Sequence, residues 1–399
     1  MADDEEEYSG SEEEVEFDLS SQDVVNKYTL AAGIVDVAMQ GVLTQCVAGK
    51  SIAEICTFGD TVIEGQTGQL FKTKKVEKGV AFPTCISVNE CVCHNSPLTS
   101  ESGTLAPGDM VKIDLGCHID GFIAVSAQTI RVPPAAGSAK IDGAAADCVK
   151  AAYEAALVAA QLMKPGNTNT QVTAAVAKVA EAYGVNAVQG TLMHQMKRFV
   201  IDGNNVVILR EDHDQKVEEF TFAENEVYTV DVAMSTGEGK PKASEARTTV
   251  FKRAVDKSFR LKMKASRWVF NAVNEKSPTF PFTVRALGDE RQGRMGVVEC
   301  LKHDLLHPYP VLHEKEGDTV AHFKFTVLLL STGTKQITLQ KPWIAEGDVL
   351  GAGTGKVLEG DEKALLDAHF EAVAKAEEAK AKKKAKKKKK KKKPAAAAE

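Results

Sequence analysis

The sequence of 399 residues lacks several features that would assign it to a class at once. It has no run of about 20 apolar residues of the kind that spans a bilayer, and its first residues, Met-Ala-Asp-Asp-Glu-Glu-Glu, carry the opposite charge to a signal-peptide start. Its eight cysteines are scattered without the spacing of a disulfide scaffold. We therefore expect an intracellular, soluble protein with reduced thiols and no membrane insertion.

Basic residues are absent from one end of the chain and concentrated at the other. Residues 1–18 hold ten Asp or Glu and no Lys or Arg, whereas twelve of residues 380–393 are Lys. Such dense blocks of like charge repel themselves, which predicts disordered tails. We expect an acidic head over 1–18 and, over 346–399, a charged helix that ends in the lysine-rich tail.

The residues between these ends have the patterns of both helices and strands. Apolar spacing predicts helices over about 18–48, 52–71, 139–163 and 169–183, and β-branched, alternating segments predict strands near 80–94, 111–125 and 226–234. This mixture indicates an α+β fold. A partly helical segment rich in Lys and Arg, residues 256–312, is predicted to form a small inserted subdomain.

The dipeptide Asp120-Gly121, flanked by alternating apolar runs, predicts a two-residue hairpin turn. This turn sets a register in which Asp114 faces Ala127. Val125 is then a diagonal neighbour of Asp114 on the same face, about 7–8 Å away. A carboxylate at position 125 could share a metal with Asp114, but valine has no ligating atom.

Several fragments, in this order and spacing, resemble the type II methionine aminopeptidases: Ala81-Phe-Pro-Thr, Val111-Lys-Ile-Asp-Leu-Gly, Glu226-Val-Tyr, Ser235-Thr-Gly and His322-Phe-Lys-Phe-Thr-Val-Leu-Leu. The chain is still more similar to the proliferation-associated proteins, also called ErbB-receptor-binding proteins, at Gly79–Pro83, Ser87-Val-Asn89, Asp120-Gly-Phe-Ile-Ala124 and Arg294-Met-Gly-Val-Val-Glu-Cys300. The resemblance implies a pita-bread fold over residues 19–345 that includes the insert at 256–312.

The resemblance also implies the positions of a former metal site. In the peptidases two metal ions are held by five side chains, which fall here on Asp114, Val125, His194, Asp231 and Lys324. His94 matches a histidine of the substrate site, and Asp202 stands where a second one would be. The two lost positions, 125 and 324, are those that bridge the metals in the family pattern.

The residue types at these positions decide the expected chemistry. Bridging carboxylates hold two ions about 3.5–4 Å apart around the attacking water. At about 4 Å, two like unit charges repel by about 4 kcal/mol at an effective dielectric near 20, and a divalent ion about doubles this. We therefore expect no catalysis, metal or cofactor, and we predict that the Lys324 ammonium replaces the metal by pairing with Asp114 or Asp231.

The resemblance implies binding to ribosomes and structured RNA, a role in translation and growth regulation, and a cytoplasmic and nuclear, including nucleolar, location. Lysines without arginine or aromatic neighbours favour sequence-independent phosphate contact. The predicted RNA-binding residues are Lys380, Lys382, Lys383, Lys384, Lys386, Lys387, Lys388, Lys389, Lys390, Lys391, Lys392 and Lys393.

Other interpretations remain open at this point. Asp114, His194 and Asp231 could hold a single ion for an aminopeptidase, or the protein could be an adaptor for signalling receptors or transcription complexes. Asp114, Asp231 and Lys324 could also be polar faces of half-exposed strands. The segment Lys363-Ala-Leu-Leu366 approaches a coregulator-binding Leu-x-x-Leu-Leu box but has Glu362 in place of the first leucine.

Overall fold

A nine-stranded antiparallel sheet runs through the part of the chain described by this computed structural model, residues 17–73, 75–133, 140–211, 216–345 and 349–391. Its central path has the order β1-β3-β4-β14-β8-β6-β7, with β15 beside β14 and β5 beside β8. The strands are β1 Lys78–Val88, β2 Cys91–Cys93, β3 Met110–Ile119, β4 Phe122–Arg131, β5 Asn186–Ala187, β6 Leu192–Met196, β7 Val206–Ile208, β8 Val227–Ser235, β9 Lys242–Ala243, β10 Val250–Arg253, β11 Phe282–Thr283, β12 Leu306–Tyr309, β13 Leu312–His313, β14 Val320–Leu330 and β15 Gly333–Gln336.

Two pairs of long helices cover this sheet. The helices of the described ranges are α1 Gln22–Gln45, α2 Ile52–Gln69, α3 Gly143–Leu162, α4 Asn169–Tyr183, α5 Lys264–Lys276, α6 Glu290–Lys302 and α7 Gly360–Lys391. The pair α1 and α2 shares one apolar core with β1, β3 and β4, and the pair α3 and α4 shares a second with β8 and β14. Two αβ halves joined through one sheet form the predicted pita-bread fold.

The predicted hairpin is present in the predicted register. Asp120 and Gly121 have φ angles of 56° and 79°, the left-handed conformation that a two-residue turn of this kind requires. Asp114 lies opposite Ala127, and Val125 lies opposite Gly116. The sequence alone therefore placed Val125 correctly on the face of Asp114.

Helices α5 and α6 of the region predicted as an insert pack around a separate apolar core with the short sheet β11-β10-β12, whose strand β10 precedes residue 256. Arg285 ties this unit to the main body. Its guanidinium donates to the carbonyl of Pro97 at 2.8 Å and lies 3.4 Å from Asp60 Oδ2. The limits 256 and 312 of the insert remain a prediction.

The prediction of a disordered lysine tail needs a correction, because α7 continues through the lysine run to Lys391. Lysine and alanine are both good helix formers, and Lys382 is paired at 3.3 Å with Glu378 one turn earlier. The two residues after Lys391, Lys392 and Lys393, lie outside the described residues, as does the acidic head up to residue 16.

The first turns of α7 are packed against the body. Leu366 is only 1% exposed and lies in the core shared with α3 and α4, and Glu362 forms an ion pair with Lys178 at 2.9 Å. A leucine buried in this way is not available to a receptor surface, so the coregulator-box interpretation of 363–366 is wrong for this conformation. None of the helices in the described ranges has the length and hydropathy of a membrane span.

Candidate functional site

Five neighbouring strands bring the predicted site positions to one cavity of about 280 Å³. Its lining includes all five positions at which the family resemblance implies metal ligands, namely Asp114 on β3, Val125 on β4, His194 on β6, Asp231 on β8 and Lys324 on β14. The interpretation of these residues as half-exposed polar faces is therefore excluded, since they converge on a shared interior space.

The sheet register explains how Lys324 reaches two carboxylates. On one side Lys324 is paired with Asp231 of β8, and on the other with Ala127 of β4, which is itself paired with Asp114 of β3. Paired residues point to the same face, and adjacent strands are about 4.8 Å apart. The small methyl group of Ala127 leaves the long lysine side chain free to cross β4.

The Lys324 ammonium makes hydrogen bonds to both carboxylates. Its Nζ lies 2.7 Å from Asp114 Oδ2 and 3.0 Å from Asp231 Oδ2. The predicted ion pair is thus present, and it involves both aspartates, whereas we predicted one or the other. The same Nζ lies 5.2 Å from the centroid of the Phe82 ring, a distance at which a cation is attracted to an aromatic face.

The charges of this triad stabilise one another. Burial alone would lower the pKa of Lys324, but Asp114 and Asp231 raise it well above its usual range. Burial alone would raise the pKa of Asp231, but Lys324 and His322 hold it well below its usual range. The lysine is therefore charged, and Asp231 is ionised, at neutral pH.

His322 is a member of the network that sequence reasoning missed. Its Nε2 lies 2.6 Å from Asp231 Oδ1, so that Asp231 is held from both sides. The sequence did indicate that His322 faces the cavity, because His322 and Lys324 are two residues apart on one strand and side chains at that spacing point to one face.

His94 and two rings form the aromatic wall of the cavity. The Nδ1 of His94 lies 3.1 Å from the carbonyl oxygen of Pro310 and can only donate to it. Burial lowers the pKa of His94 to about 4, so its imidazole is neutral at pH 7. The ring centroid of Tyr309 lies 5.2 Å from that of His94 and 6.0 Å from that of Phe82.

The remaining predicted residues have partners of their own. His194 donates from Nδ1 to the carbonyl oxygen of Gly203 at 3.1 Å. Asp202 lines the cavity and pairs with Lys252 of β10, a partner that the sequence gave no reason to expect. Lys252 lies on β10, which pairs with the insert strands β11 and β12. This ion pair therefore links the cavity to the insert.

Comparison with known proteins gives the class to which this fold and cavity belong. Residues 26–252 match the model of metallopeptidase family M24. A Solanum tuberosum protein named ErbB-3 binding protein 1 is 53% identical over 329 residues, which cover 82% of this chain and 84% of the relative. A Schizosaccharomyces pombe protein named curved DNA-binding protein is 40% identical over 338 residues, covering 83% and 87%.

The solved structures agree with this result. The structure of a thermophilic Arx1 superposes with a TM-score of 0.80 and 29% identity, covering 87% of this chain and 97% of that one. The chain therefore belongs to metallopeptidase family M24, in the branch of the ErbB-3 binding and proliferation-associated proteins.

The residues of the cavity do not fit the two metal ions that the peptidases of the resembled type bind. No group of three His, Cys, Asp or Glu side chains in the described ranges is arranged to hold a metal ion. A divalent ion bound by Asp114 and Asp231 would have to displace the Lys324 ammonium, which lies within 3.0 Å of both. The eight cysteines are free thiols.

Proposed function

We propose that this protein is a non-catalytic member of family M24 that binds ribosomes and structured RNA through its surface. The observation that carries the loss of catalysis is the position of the Lys324 ammonium between Asp114 and Asp231. A dinuclear hydrolase needs bridging carboxylates at the corresponding positions to hold two cations and to activate water between them. A lysine and a valine cannot perform that role.

The basic end of α7 supports binding to a polyanion. The first turns of this helix are fixed to the body by Leu366 and by the pair Glu362–Lys178, while the side chain of Lys382 further along is 76% exposed. The lysine run therefore continues from a firmly docked helix. Neutralised phosphates release condensed counterions, which makes such binding strong, steep in salt and independent of sequence.

The insert is our candidate for a more specific RNA contact. Residues 256–312 hold ten Lys or Arg and six Asp or Glu, a net charge of +4, whereas the whole chain has a net charge of −5. One relative is named for binding curved DNA, and we extend nucleic-acid binding to this chain as part of the proposal. The proposal includes, from the family resemblance, a role in translation and growth regulation and a location in the cytoplasm, the nucleus and the nucleolus.

The test is a salt titration of binding to a structured RNA hairpin and to purified ribosomes, with the full chain and a variant in which the twelve lysines of 380–393 are Gln. Each lost phosphate contact lowers the slope of log K against log salt by about 0.9 in a duplex. We expect weaker binding and a shallower slope for the variant. The matched control replaces lysines of the body, such as Lys164, Lys240 and Lys335, by Gln. Equal affinity of variant and full chain would contradict the proposal for the tail.

Two rival functions have direct tests. A single-metal aminopeptidase would hydrolyse a methionyl peptide when Mn²⁺ or Co²⁺ is supplied, and we expect no hydrolysis. An adaptor for signalling or transcription proteins would retain its partners after RNase treatment, whereas partners bridged by RNA would be lost.

A further inference from the structure

The cavity has a feature that neither the loss of catalysis nor RNA binding uses. Three aromatic rings, those of Phe82, His94 and Tyr309, line one space together. Their centroids are separated by 6.1 Å, 6.0 Å and 5.2 Å, with tilted or edge-on ring planes. Cavities lined by several aromatic rings are how proteins bind alkylated ammonium groups.

The charge of the cavity favours a cation. Its lining contains three aspartates, Asp114, Asp202 and Asp231, and one lysine, Lys324. With Lys252, the partner of Asp202, included, three carboxylates stand against two ammonium groups. The Lys324 ammonium already lies 5.2 Å from the Phe82 ring, so the same wall stabilises a cation within the protein itself. An anion would meet both a negative field and apolar rings.

The hydrogen bonds of the cavity favour a methylated cation over a primary one. Four carboxylate oxygens are engaged, since Asp114 Oδ2 and Asp231 Oδ2 accept from Lys324, Asp231 Oδ1 from His322, and Asp202 Oδ1 from Lys252. Asp114 Oδ1 is buried and has no hydrogen-bond partner among the described residues, so it offers a single acceptor. A primary ammonium has three N–H donors that lose water on entry and need acceptors. A trimethylammonium group has none and needs only apolar contact and a favourable field.

We propose that this cavity binds a methylated ammonium group, such as that of choline or of a methylated lysine side chain. Its volume of about 280 Å³ is at the small end of ligand sites and suits a head group of this size. The proposal is independent of ribosome binding and of catalysis. It requires only the cavity as it stands.

The test is a calorimetric titration of choline into the full chain, with 3,3-dimethylbutan-1-ol as the neutral compound of the same shape and butylammonium as the primary amine. Choline is expected to bind with a Kd of about 1 mM or tighter, and the alcohol and butylammonium about tenfold more weakly. Tyr309→Leu removes one ring and should weaken choline binding about tenfold. Phe259→Leu, at an aromatic residue that is 42% exposed and outside the cavity lining, is the matched control and should change nothing.

A second variant keeps the test valid if Tyr309→Leu unfolds the insert. Asp202→Asn lowers the negative charge of the cavity without removing a ring and should also weaken choline binding. Equal binding of choline and its neutral analogue would overturn the proposal, because it would show a merely apolar cavity. Tighter binding of butylammonium, an equal effect of Phe259→Leu, or no choline binding in the millimolar range would overturn it as well.

Discussion

The same residue type performs opposite tasks in two regions of this molecule. The side chain of Lys324, in the centre of the sheet, is 12% exposed and bound to two carboxylates, whereas that of Lys382 on the last helix is 76% exposed and has one partner of the same helix. Because Lys324 and its two carboxylate partners are buried, their charges affect the free energy of unfolding. Exposure leaves the second charge free for a partner that comes from solution.

Lys324→Met is expected to have the largest effect on the free energy of unfolding and so tests the difference between the two lysines most strongly. It leaves Asp114 and Asp231 buried without their cation, which typically costs about 3–5 kcal/mol of unfolding free energy. Urea unfolding measures it. Lys335→Met, at an exposed position of the adjoining strand β15, is the control and should change stability by less than about 0.5 kcal/mol. A cost equal to that of the control would show that Lys324 does not compensate the carboxylates.

A second test concerns the neutral neighbour of Lys324 in the same cavity. The pKa of His94 is lowered from 6.5 to about 4 by burial, so the unfolded chain binds a proton in this pH window that the folded chain does not. The contribution of the neutral, buried His94 to the free energy of unfolding is complete above pH 6.5 and is lost as the pH falls toward 4. His94→Gln should reduce this loss by about 1–3 kcal/mol.

The measurement for His94 is a set of urea unfolding curves between pH 4 and pH 7. Burial also lowers the pKa of His118 to about 4, so part of the slope will remain in the variant, and His118→Gln serves as the comparison at a site outside the cavity lining. An unchanged pH profile for His94→Gln would mean that His94 is solvated or protonated in the folded protein.

The smallest effect on folding is expected for Lys382→Gln. It removes only an exposed pair within one helix, worth about 0.3–0.5 kcal/mol, yet it should lower the salt slope of RNA binding by about 0.7–0.9 if Lys382 contacts a phosphate. Fluorescence anisotropy with a labelled hairpin measures the slope. A large loss of stability without a change in RNA affinity would reverse the roles that we assign to the two lysines.

The local part of the fold could be predicted from the sequence because it depends on short-range chemistry. The Asp120-Gly121 turn fixed the register of β3 and β4, and the capping residue Thr168 and the left-handed Gly184 delimit α4 at the predicted residues. The pairing of β14 between β4 and β8 could not be derived in this way. Strands from distant parts of the chain meet there, and no local pattern encodes which of them are neighbours.

The residues of the site also divide into those that could be predicted from the sequence and those that could not. Asp114, Asp231 and Lys324 were placed together through family resemblance, which carries three-dimensional information. Two partners were missed. The strand spacing put His322 on the face of Lys324 but could not show that Asp231 of β8 lies beside it, and nothing in the sequence brought Lys252 to Asp202. The charged helix was predicted, but its continuation through the lysine run was not, because charge repulsion was given more weight than the helix propensity of lysine and alanine.

The central claim is that two residues, Val125 and Lys324, keep metal ions out of the cavity. Its most direct test is a calorimetric titration of Mn²⁺ into the full chain and into the double variant Val125→Asp with Lys324→Glu, with Val125→Asp alone as the control. We expect no binding to the unmodified chain or to the single variant, and binding to the double variant. Tight binding of Mn²⁺ to the unmodified chain would contradict this account and would make the aminopeptidase interpretation the leading one.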